Sequence, residues 1–463
     1  MLDVTPGDQR WTPTGLLTDH YELTMLDAAL RSGVAQHRAT FECFPRRLPP
    51  GRRYGVMAGV GRLVEALHVF RFDDGALTWL SQQGFLSARA LQWLADYRFT
   101  GTVRGYLEGE LFFPGSPILT VEGTFGEAVI LETLVLSILN HDCAVAAAGA
   151  RMVAAAAGRP LLEAGSRRTA EYAAPAAARA AYLVGFAATS NLEAGRRWGV
   201  PTGGTVAHAF VLAHRDERAA FEAQLALTGP DTTMLVDTFD IETGIRNAVD
   251  VAGPSLGAIR IDSGDPLVES RRARALLDGL GASATRIVVS GDLDEWAIAE
   301  LVRAQAPVDR MLIGTHLVTG SGAPAAGLVY KLVAMAEGPG ADAPLRPVAK
   351  TSPGKASIGG AKLAARRLGP DGRALAELVT LAPLAPSGDA FPPAWPGGDR
   401  SLLRALQRTF VLHGDPVDGT VDGTVADLSL GAARAHHRMA MAELSDEQRS
   451  LAPGDAALRA VPA

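Results

Sequence analysis

The sequence predicts an α/β chain: a closed or nearly closed α/β barrel, preceded by an α+β domain. Three observations carry this. Short apolar runs begin at Met234, Ala258, Ile287 and Met311, spaced 24, 29 and 24 residues apart, which is room for a strand, a helix and two short loops. Helical periodicity follows at least two of them, over Leu267–Leu277 and Leu293–Ala304. The first 125 residues lack this rhythm and mix helix and strand signals. A doubly wound sheet is the alternative arrangement of the same units.

The elements follow in order. Thr18-Asp19 with Glu22 is a helix start and Gly33 a stop, and Leu26, Ala29 and Leu30 fall on one face between them. Ala39–Phe44 alternates as a half-buried strand does. Val60, Leu63, Val64 and Leu67 give the stripe of a second helix. Two apolar stretches, Leu111–Phe113 and Ile118–Val121, flank the turn Pro114-Gly115-Ser116-Pro117. Ala-rich helices are predicted over 126–158 and 170–187. Leu161–Glu163 and the region of Thr205-Val206 are candidates for further strands. After Lys362 the pattern decays: Pro383–Arg400 reads as a surface loop, Thr409–Leu412 as a strand returning to the N-terminal domain, and Leu428–Leu444 as a helix. The predicted domains are therefore 1–125 joined by 366–444, a barrel over 126–365, and a loosely held tail over 445–463.

Composition narrows the function. The chain of 463 residues has 44 Lys plus Arg against 50 Asp plus Glu, a net charge of −6. That balance argues against a nucleic-acid binder, which needs a basic face. Cys43 and Cys143 are too few for a disulfide framework or a zinc site and are expected to be buried as small hydrophobes. The N-terminus has neither the basic nor the apolar region of a signal peptide. The longest apolar runs, Ala128–Leu139 and Ala144–Ala157, are each short of a bilayer span. A soluble, cytoplasmic protein is expected. The only lysines, Lys331, Lys350, Lys355 and Lys362, share one window of 32 residues in a chain that otherwise uses arginine. Either the clustering is a compositional accident, or this window needs compact ammonium groups for phosphate. The second reading expects at least one of Lys331, Lys350 and Lys355 to touch a substrate phosphate, with Lys362 nearer the accident.

In an α/β barrel the chemistry sits at the C-terminal ends of the strands. There the sequence places Asp237-Thr238, Asp262-Ser263-Gly264-Asp265, Ser290-Gly291-Asp292 and Gly314-Thr315. Turns also favour such residues, but their recurrence at equivalent strand ends favours a site. Ser290-Gly291 and Gly314-Thr315 suit phosphate, because small residues let backbone N–H groups converge on an anion. Arg260 lies inside an apolar strand and would point into the barrel mouth, either to pair with Asp262 or Asp237 or to grip a carboxylate ligand. Asp262 and Asp265 are candidates for Mg²⁺ or for stabilising a cationic sugar, and Asp265 is equally placed to cap the next helix. His208, after a Gly-Gly-Thr turn, is either a structural histidine or a reactive one. Arg167-Arg168 follows Glu163-Ala164-Gly165-Ser166 at another strand end.

These segments together resemble nicotinate phosphoribosyltransferase. The resemblance runs from Leu16-Leu17-Thr18-Asp19-His20-Tyr21 to about Lys362. It takes in Phe113-Pro114-Gly115, Gly165-Ser166-Arg167-Arg168, Thr189-Ser190-Asn191 and Gly204-Thr205-Val206-Ala207-His208. Arg260-Ile261-Asp262-Ser263-Gly264-Asp265, Gly314-Thr315 and Val329-Tyr330-Lys331-Leu332 complete it. It implies an irregular α/β barrel of the type II phosphoribosyltransferase kind beside an α+β N-terminal domain. The implied reaction joins nicotinate to phosphoribosyl pyrophosphate, with ATP hydrolysed alongside and Mg²⁺ present, in NAD salvage. It further implies a homodimer whose subunits share active sites; the charge balance and the short apolar runs, not the resemblance, predict no nucleic-acid or membrane partner.

Residue by residue, the resemblance gives Tyr21, Thr205 and Arg260 to nicotinate, and makes His208 the histidine phosphorylated by ATP. The residues themselves, apart from the resemblance, make Asp262 the candidate carboxylate near the developing cation and Asp265 the candidate metal ligand. The resemblance gives Ser290, Gly291, Gly314 and Thr315 to the 5′-phosphate, while Arg167, by its strand-end position, and Lys331, from the lysine window, are further candidate phosphate contacts. Glycosyl transfer of this kind is mostly positioning and electrostatic stabilisation. The chain departs from the family pattern at His316, at Ala187-Ala188 and at Gly359-Gly360. The competing expectations are a nicotinamide or quinolinate enzyme, and a non-catalytic phosphate-sugar binder.

Overall fold

The computed structural model describes residues 15–352, 357–382, 402–417, 420–421, 424–425 and 427–462. The N-terminal residues 1–14, Lys355 and the Pro383–Arg400 loop lie outside the described residues. The chain divides into two compact units, one of 1–143, 325–448 and 453–463, the other of 144–324 and 449–452.

The first unit is built on a seven-stranded antiparallel sheet. Its order is Leu345–Pro347, Leu328–Ala336, Arg38–Pro45, Leu119–Thr124, Thr102–Tyr106, Gln407–Leu412 and Asp415–Pro416. The helix His20–Ser32 buries Leu23, Leu26, Ala29 and Leu30 and ends at Gly33 in the left-handed region. Val60–Val69 buries Leu63, Val64 and Leu67. The strand Gln407–Leu412 pairs with Thr102–Tyr106, so the C-terminal part does return to the N-terminal domain. A smaller sheet of Leu403–Ala405, Lys362–Leu368, Ala374–Leu381 and Ala460–Pro462 belongs to the same unit.

Three features differ from the sequence expectation. The strand Leu328–Ala336, assigned to the barrel, pairs with Arg38–Pro45 along its length; it is an antiparallel strand of the first unit. The region after Ser445 carries the helix Asp446–Arg449 and the strand Ala460–Pro462, which pairs in parallel with Glu377–Val379. The two apolar runs are continuous in space: Phe125–Ala155 is long and apolar enough to cross a membrane by length and composition, and 67% of its most apolar window is buried inside the protein. Leu134, Val135, Leu139, Cys143, Ala146 and Met152 are core residues there, so its apolarity is accounted for by packing.

The second unit holds six parallel strands, curled into a half-barrel. Their order is Ala188–Thr189, Leu161–Glu163, Arg310–Ile313, Arg286–Val289, Ala258–Ile261 and Thr233–Leu235. Strands buried on both faces read as apolar runs, which is why four of them were visible in the sequence. Ala188–Thr189 takes the place expected near Thr205-Val206; the 203–207 segment has no regular structure. The helices Glu217–Thr228, Ile241–Ala252, Pro266–Gly279 and Glu295–Arg303 are each capped by an aspartate, Asp216, Asp240, Asp265 and Asp294, whose side chain accepts first-turn N–H groups. Such caps hold each helix start beside a strand end.

Candidate active site

Arg260 is the third residue of Ala258–Ile261, between buried Ile259 and Ile261. Strand alternation turns its side chain away from the face those two pack against. All three guanidinium nitrogens are engaged: Nε donates to Ser290 Oγ at 3.0 Å, Nη1 to Thr205 Oγ1 at 3.1 Å and Nη2 to Asp262 Oδ1 at 3.1 Å. Ser290 Oγ also donates to Asp262 Oδ1. The fork of Arg260 therefore spans three segments that are far apart in the chain.

Asp237, at the end of the neighbouring strand, fixes the loop below. Its Oδ2 accepts from the Asp262 backbone N–H at 2.8 Å and from Ser263 Oγ at 2.7 Å. His208 begins the short helix His208–Leu212. Its Nδ1 is 3.1 Å from Thr238 Oγ1, and its Nε2 is 3.9 Å from both Asp237 Oδ1 and Asp262 Oδ2. Burial pushes the Asp262 carboxyl up, but the Ser290 hydroxyl and the Arg260 guanidinium outweigh it and hold the group below the ordinary carboxylate range. It is thus an anion facing the same space as Arg260 and His208.

The next two strand ends form a rim of small residues. Gly291 has φ +100°, and a Cβ there would sit 2.7 Å from the Asp262 carbonyl oxygen, so only glycine lets the two loops meet. Gly314 leads into the four-residue turn Thr315–Val318. Beside it, a Cβ on Gly165 would come within 3.0 Å of the Gly314 carbonyl oxygen and 2.3 Å of Val318. Gly165 opens the turn carrying Arg167 and Arg168, both exposed.

The structure thus brings together Arg260, Thr205, Asp262, Ser290 and His208 by direct contact, and sets Gly291, Gly314, Thr315 and Arg167 on the same strand-end rim. Asp265 stands apart: one of its oxygens accepts from Leu267 and Val268 N–H at 2.9 and 3.0 Å, so it caps a helix. Among the described residues no group of three or more His, Cys, Asp and Glu side chains is arranged to hold a metal ion.

Tyr21 and Lys331 belong to the first unit. Tyr21 is 46% exposed; burial, then Glu132, Glu22 and Asp19, push its phenol up, and it hydrogen-bonds Glu132. Lys331 Nζ donates to the same Glu132 at 3.0 Å. Lys362 is buried, with its Nζ 2.7 Å from Glu42. Lys350 is exposed. Lys331, Lys350 and Lys362 therefore lie in the first unit, and Lys331 and Lys362 are in ion pairs. Sequence reasoning gave no role to Thr238 or Glu132 and saw Asp237 only as a partner for Arg260. The signal for Asp237 was present, since it directly follows an apolar run as Asp262 does.

Residues 16–140 match the family described as the nicotinate phosphoribosyltransferase (NAPRTase) N-terminal domain. The chain is 54% identical to a nicotinate phosphoribosyltransferase of Mycobacterium tuberculosis, over 97% of this chain and 96% of that one. It is 31% identical to the human nicotinate phosphoribosyltransferase, over 94% and 92% of the two chains. The crystal structure of human nicotinic acid phosphoribosyltransferase matches with a TM-score of 0.77 at 28% identity, covering 95% of this chain and 96% of that one. A nicotinate-nucleotide pyrophosphorylase from Pyrococcus furiosus shares the fold, with a TM-score of 0.72 at 22% identity over 95% and 97% of the chains. The architecture is that of the type II phosphoribosyltransferases, and with identity of this extent the chain belongs to the nicotinate phosphoribosyltransferase family.

Proposed function

We propose that this enzyme transfers the phosphoribosyl group of phosphoribosyl pyrophosphate to nicotinate, giving nicotinate mononucleotide and pyrophosphate, with ATP hydrolysed through a phosphorylated His208. The observation that carries the proposal is the Arg260 fork, held at a barrel strand end by Thr205, Ser290 and Asp262. An incoming carboxylate can take the guanidinium edge now given to the Asp262 and Thr205 oxygens, and bidentate capture selects an anionic pyridine over a neutral one. Asp262, anionic and beside that edge, stabilises the positive charge that develops at C1 of the ribose. Ser290, Gly291, Gly314 and Thr315 receive the 5′-phosphate, and Arg167 and Lys331 serve phosphate oxygens. Lys331 would do so with Glu132 as its resting partner.

Mg²⁺ fits only as a companion of the pyrophosphate. A hard cation that keeps its waters and binds phosphate oxygens needs one or two carboxylates. The Asp262–Asp265 loop offers those, with Asp265 contributing what its capping role leaves free. When bound, the ion would neutralise the leaving group. Tyr21, exposed on the first unit, is proposed to stack on nicotinate in a homodimer with shared sites, and the setting is the cytoplasm.

The test is turnover of nicotinate and of nicotinamide by the purified chain, with and without ATP. Nicotinate mononucleotide should form, ATP should raise the rate, and nicotinamide should be used hardly at all. Equal turnover of the two bases removes the carboxylate clamp from the mechanism.

A further inference from the structure

Glu163 is 1% exposed, and it ends the strand Leu161–Glu163, between Thr189 and Ile313 in register. Among the described residues no cation pairs with it. Its two oxygens are instead divided between two neighbours. Oε1 accepts from the backbone N–H of Gly165, and Oε2 accepts from the hydroxyl of Thr189. Burying a carboxylate with no counter-charge is costly, and a core position of this kind would be cheaper with a neutral side chain.

Each neighbour leads to one side of the site. Gly165 starts the turn of Ser166, Arg167 and Arg168, closed by Arg168 N–H on the Gly165 carbonyl at 2.8 Å, and a Cβ on it would meet Val318 at 2.3 Å and stand 3.0 Å from the Gly314 carbonyl oxygen. This is the side of the phosphate rim. Thr189 leads the other way. Its N–H donates to the Pro201 carbonyl at 2.9 Å, and its own carbonyl accepts from Gly203 N–H at 2.9 Å. The irregular 201–205 segment is therefore pinned to Thr189, two residues before Thr205 meets Arg260 at 3.1 Å. The Thr189 hydroxyl also accepts from Asn191 N–H at 2.9 Å, and the Asn191 amide donates back to Ser166 at 3.0 Å.

We propose that Glu163 is a positioning residue for the transfer reaction, one carboxylate that sets both the Gly165–Arg168 turn and, through Thr189 and the 201–203 segment, the Thr205 contact to Arg260. It touches no substrate. The inference rests on the functional reading above for what the two rims bind. A carboxylate suits the task because its four lone pairs accept from a backbone N–H and a hydroxyl at once.

The test compares Glu163→Ala, Glu163→Gln and Thr189→Val in the full chain by two readouts, steady-state KM for each substrate and hydrogen exchange of the backbone. Glu163→Ala frees both rims. It should raise KM for nicotinate and for phosphoribosyl pyrophosphate by about tenfold each, the loss of one buried hydrogen bond apiece. Glu163→Gln accepts from Gly165 with its carbonyl and donates to a reversed Thr189 hydroxyl, so both KM values should stay within about threefold of wild type. Thr189→Val cuts the Thr189 arm and keeps the Glu163–Gly165 bond, so it should raise KM for nicotinate more than KM for phosphoribosyl pyrophosphate, the smaller rise coming through Asn191 and Ser166; it keeps the proposal testable if the alanine variant misfolds. Exchange should quicken over 165–168 and 201–205 in Glu163→Ala, and chiefly over 201–205 in Thr189→Val. The proposal is overturned if Glu163→Ala leaves both KM values unchanged, if glutamine rescues no better than alanine, or if exchange in the two segments does not respond. A wild-type chain without nicotinate turnover is a separate result. It defeats the functional reading, while hydrogen exchange still decides whether Glu163 holds the two rims.

Discussion

His208 Nε2 stands 3.9 Å from Asp237 Oδ1, and that oxygen is buried with no hydrogen-bond partner among the described residues. Its sister oxygen already accepts from Asp262 and Ser263. A buried carboxylate oxygen left without a donor costs stability, and the imidazole is the donor placed to relieve it. A proton on Nε2 leaves Nδ1 to accept from the Thr238 hydroxyl, so the pair selects one tautomer. In Asp237→Asn the amide oxygen keeps the Asp262 and Ser263 bonds, while the amide NH₂ faces His208 and favours the other tautomer. ATP-dependent phosphoryl labelling of the protein is expected to fall by about tenfold to a hundredfold, with melting temperature unchanged or higher because an uncompensated charge has left the interior. Labelling at the wild-type level in a folded variant would remove Asp237 from any role toward His208.

How far the site was legible follows from which signals are local. Arg260, Asp262, Ser290 and Gly314-Thr315 were visible because a parallel strand is an apolar run with its chemistry just past the end. Asp265 was ambiguous, since a metal ligand and a helix cap both call for an aspartate at a loop end. Pro266 directly after it is the signal that favours the cap. The strand Leu328–Ala336 was misplaced because its partner, Arg38–Pro45, is remote in the chain, and pairing at that distance leaves no local trace. With it moved Lys331, whose partner Glu132 lies on the long apolar helix. In the lysine cluster Lys331 and Lys362 are ion-paired, to Glu132 and Glu42, in the antiparallel unit.

Arg366 is fully buried in the first unit. Its Nη2 donates to the Leu111 carbonyl at 2.8 Å, to Glu377 at 3.2 Å and to Glu110 at 3.4 Å, and its guanidinium lies 5.0 Å over the Phe113 ring. Among the described residues its Nε and Nη1 have no partner, so the residue is there for charge more than for a complete set of bonds. Glu110 has Arg404 and His436 besides, whereas among the described residues Glu377 has only hydroxyls, those of Tyr106 and Ser116, beyond Arg366. Arg366→Met should therefore strand Glu377 and cost about 3–5 kcal/mol in urea unfolding, as breaking one side of a buried ion pair does. Adding Glu377→Gln should restore at least about 1 kcal/mol of that loss. Strict additivity of the two changes would mean that Glu377 does not depend on Arg366.

His437 predicts how stability varies with acidity. The side chain is 3% exposed, and its Nδ1 lies 3.0 Å from the Gly109 carbonyl, which can only accept, so the ring donates there. Burial lowers its pKa; the Gly109 carbonyl pulls the other way, His436 lowers it further, and the result is about 4 against an ordinary 6.5. A folded pKa below the unfolded one means that the unfolded chain binds the extra proton first. The stability held by neutral His437 is thus complete above pH 6.5 and is lost as pH falls toward 4, by about 3 kcal/mol in total. Glu110, whose carboxyl is held well below its ordinary 4.5 chiefly by Arg404 against the penalty of burial, adds its own loss only below pH 4.5, so the two windows separate. Melting temperature measured from pH 7.5 to 4.5 should hold down to about pH 6.5 in the wild type and fall below it. In His437→Gln, whose amide can still donate to Gly109, the same scan should be much flatter. Parallel slopes in the two proteins would show that another group carries the acid sensitivity.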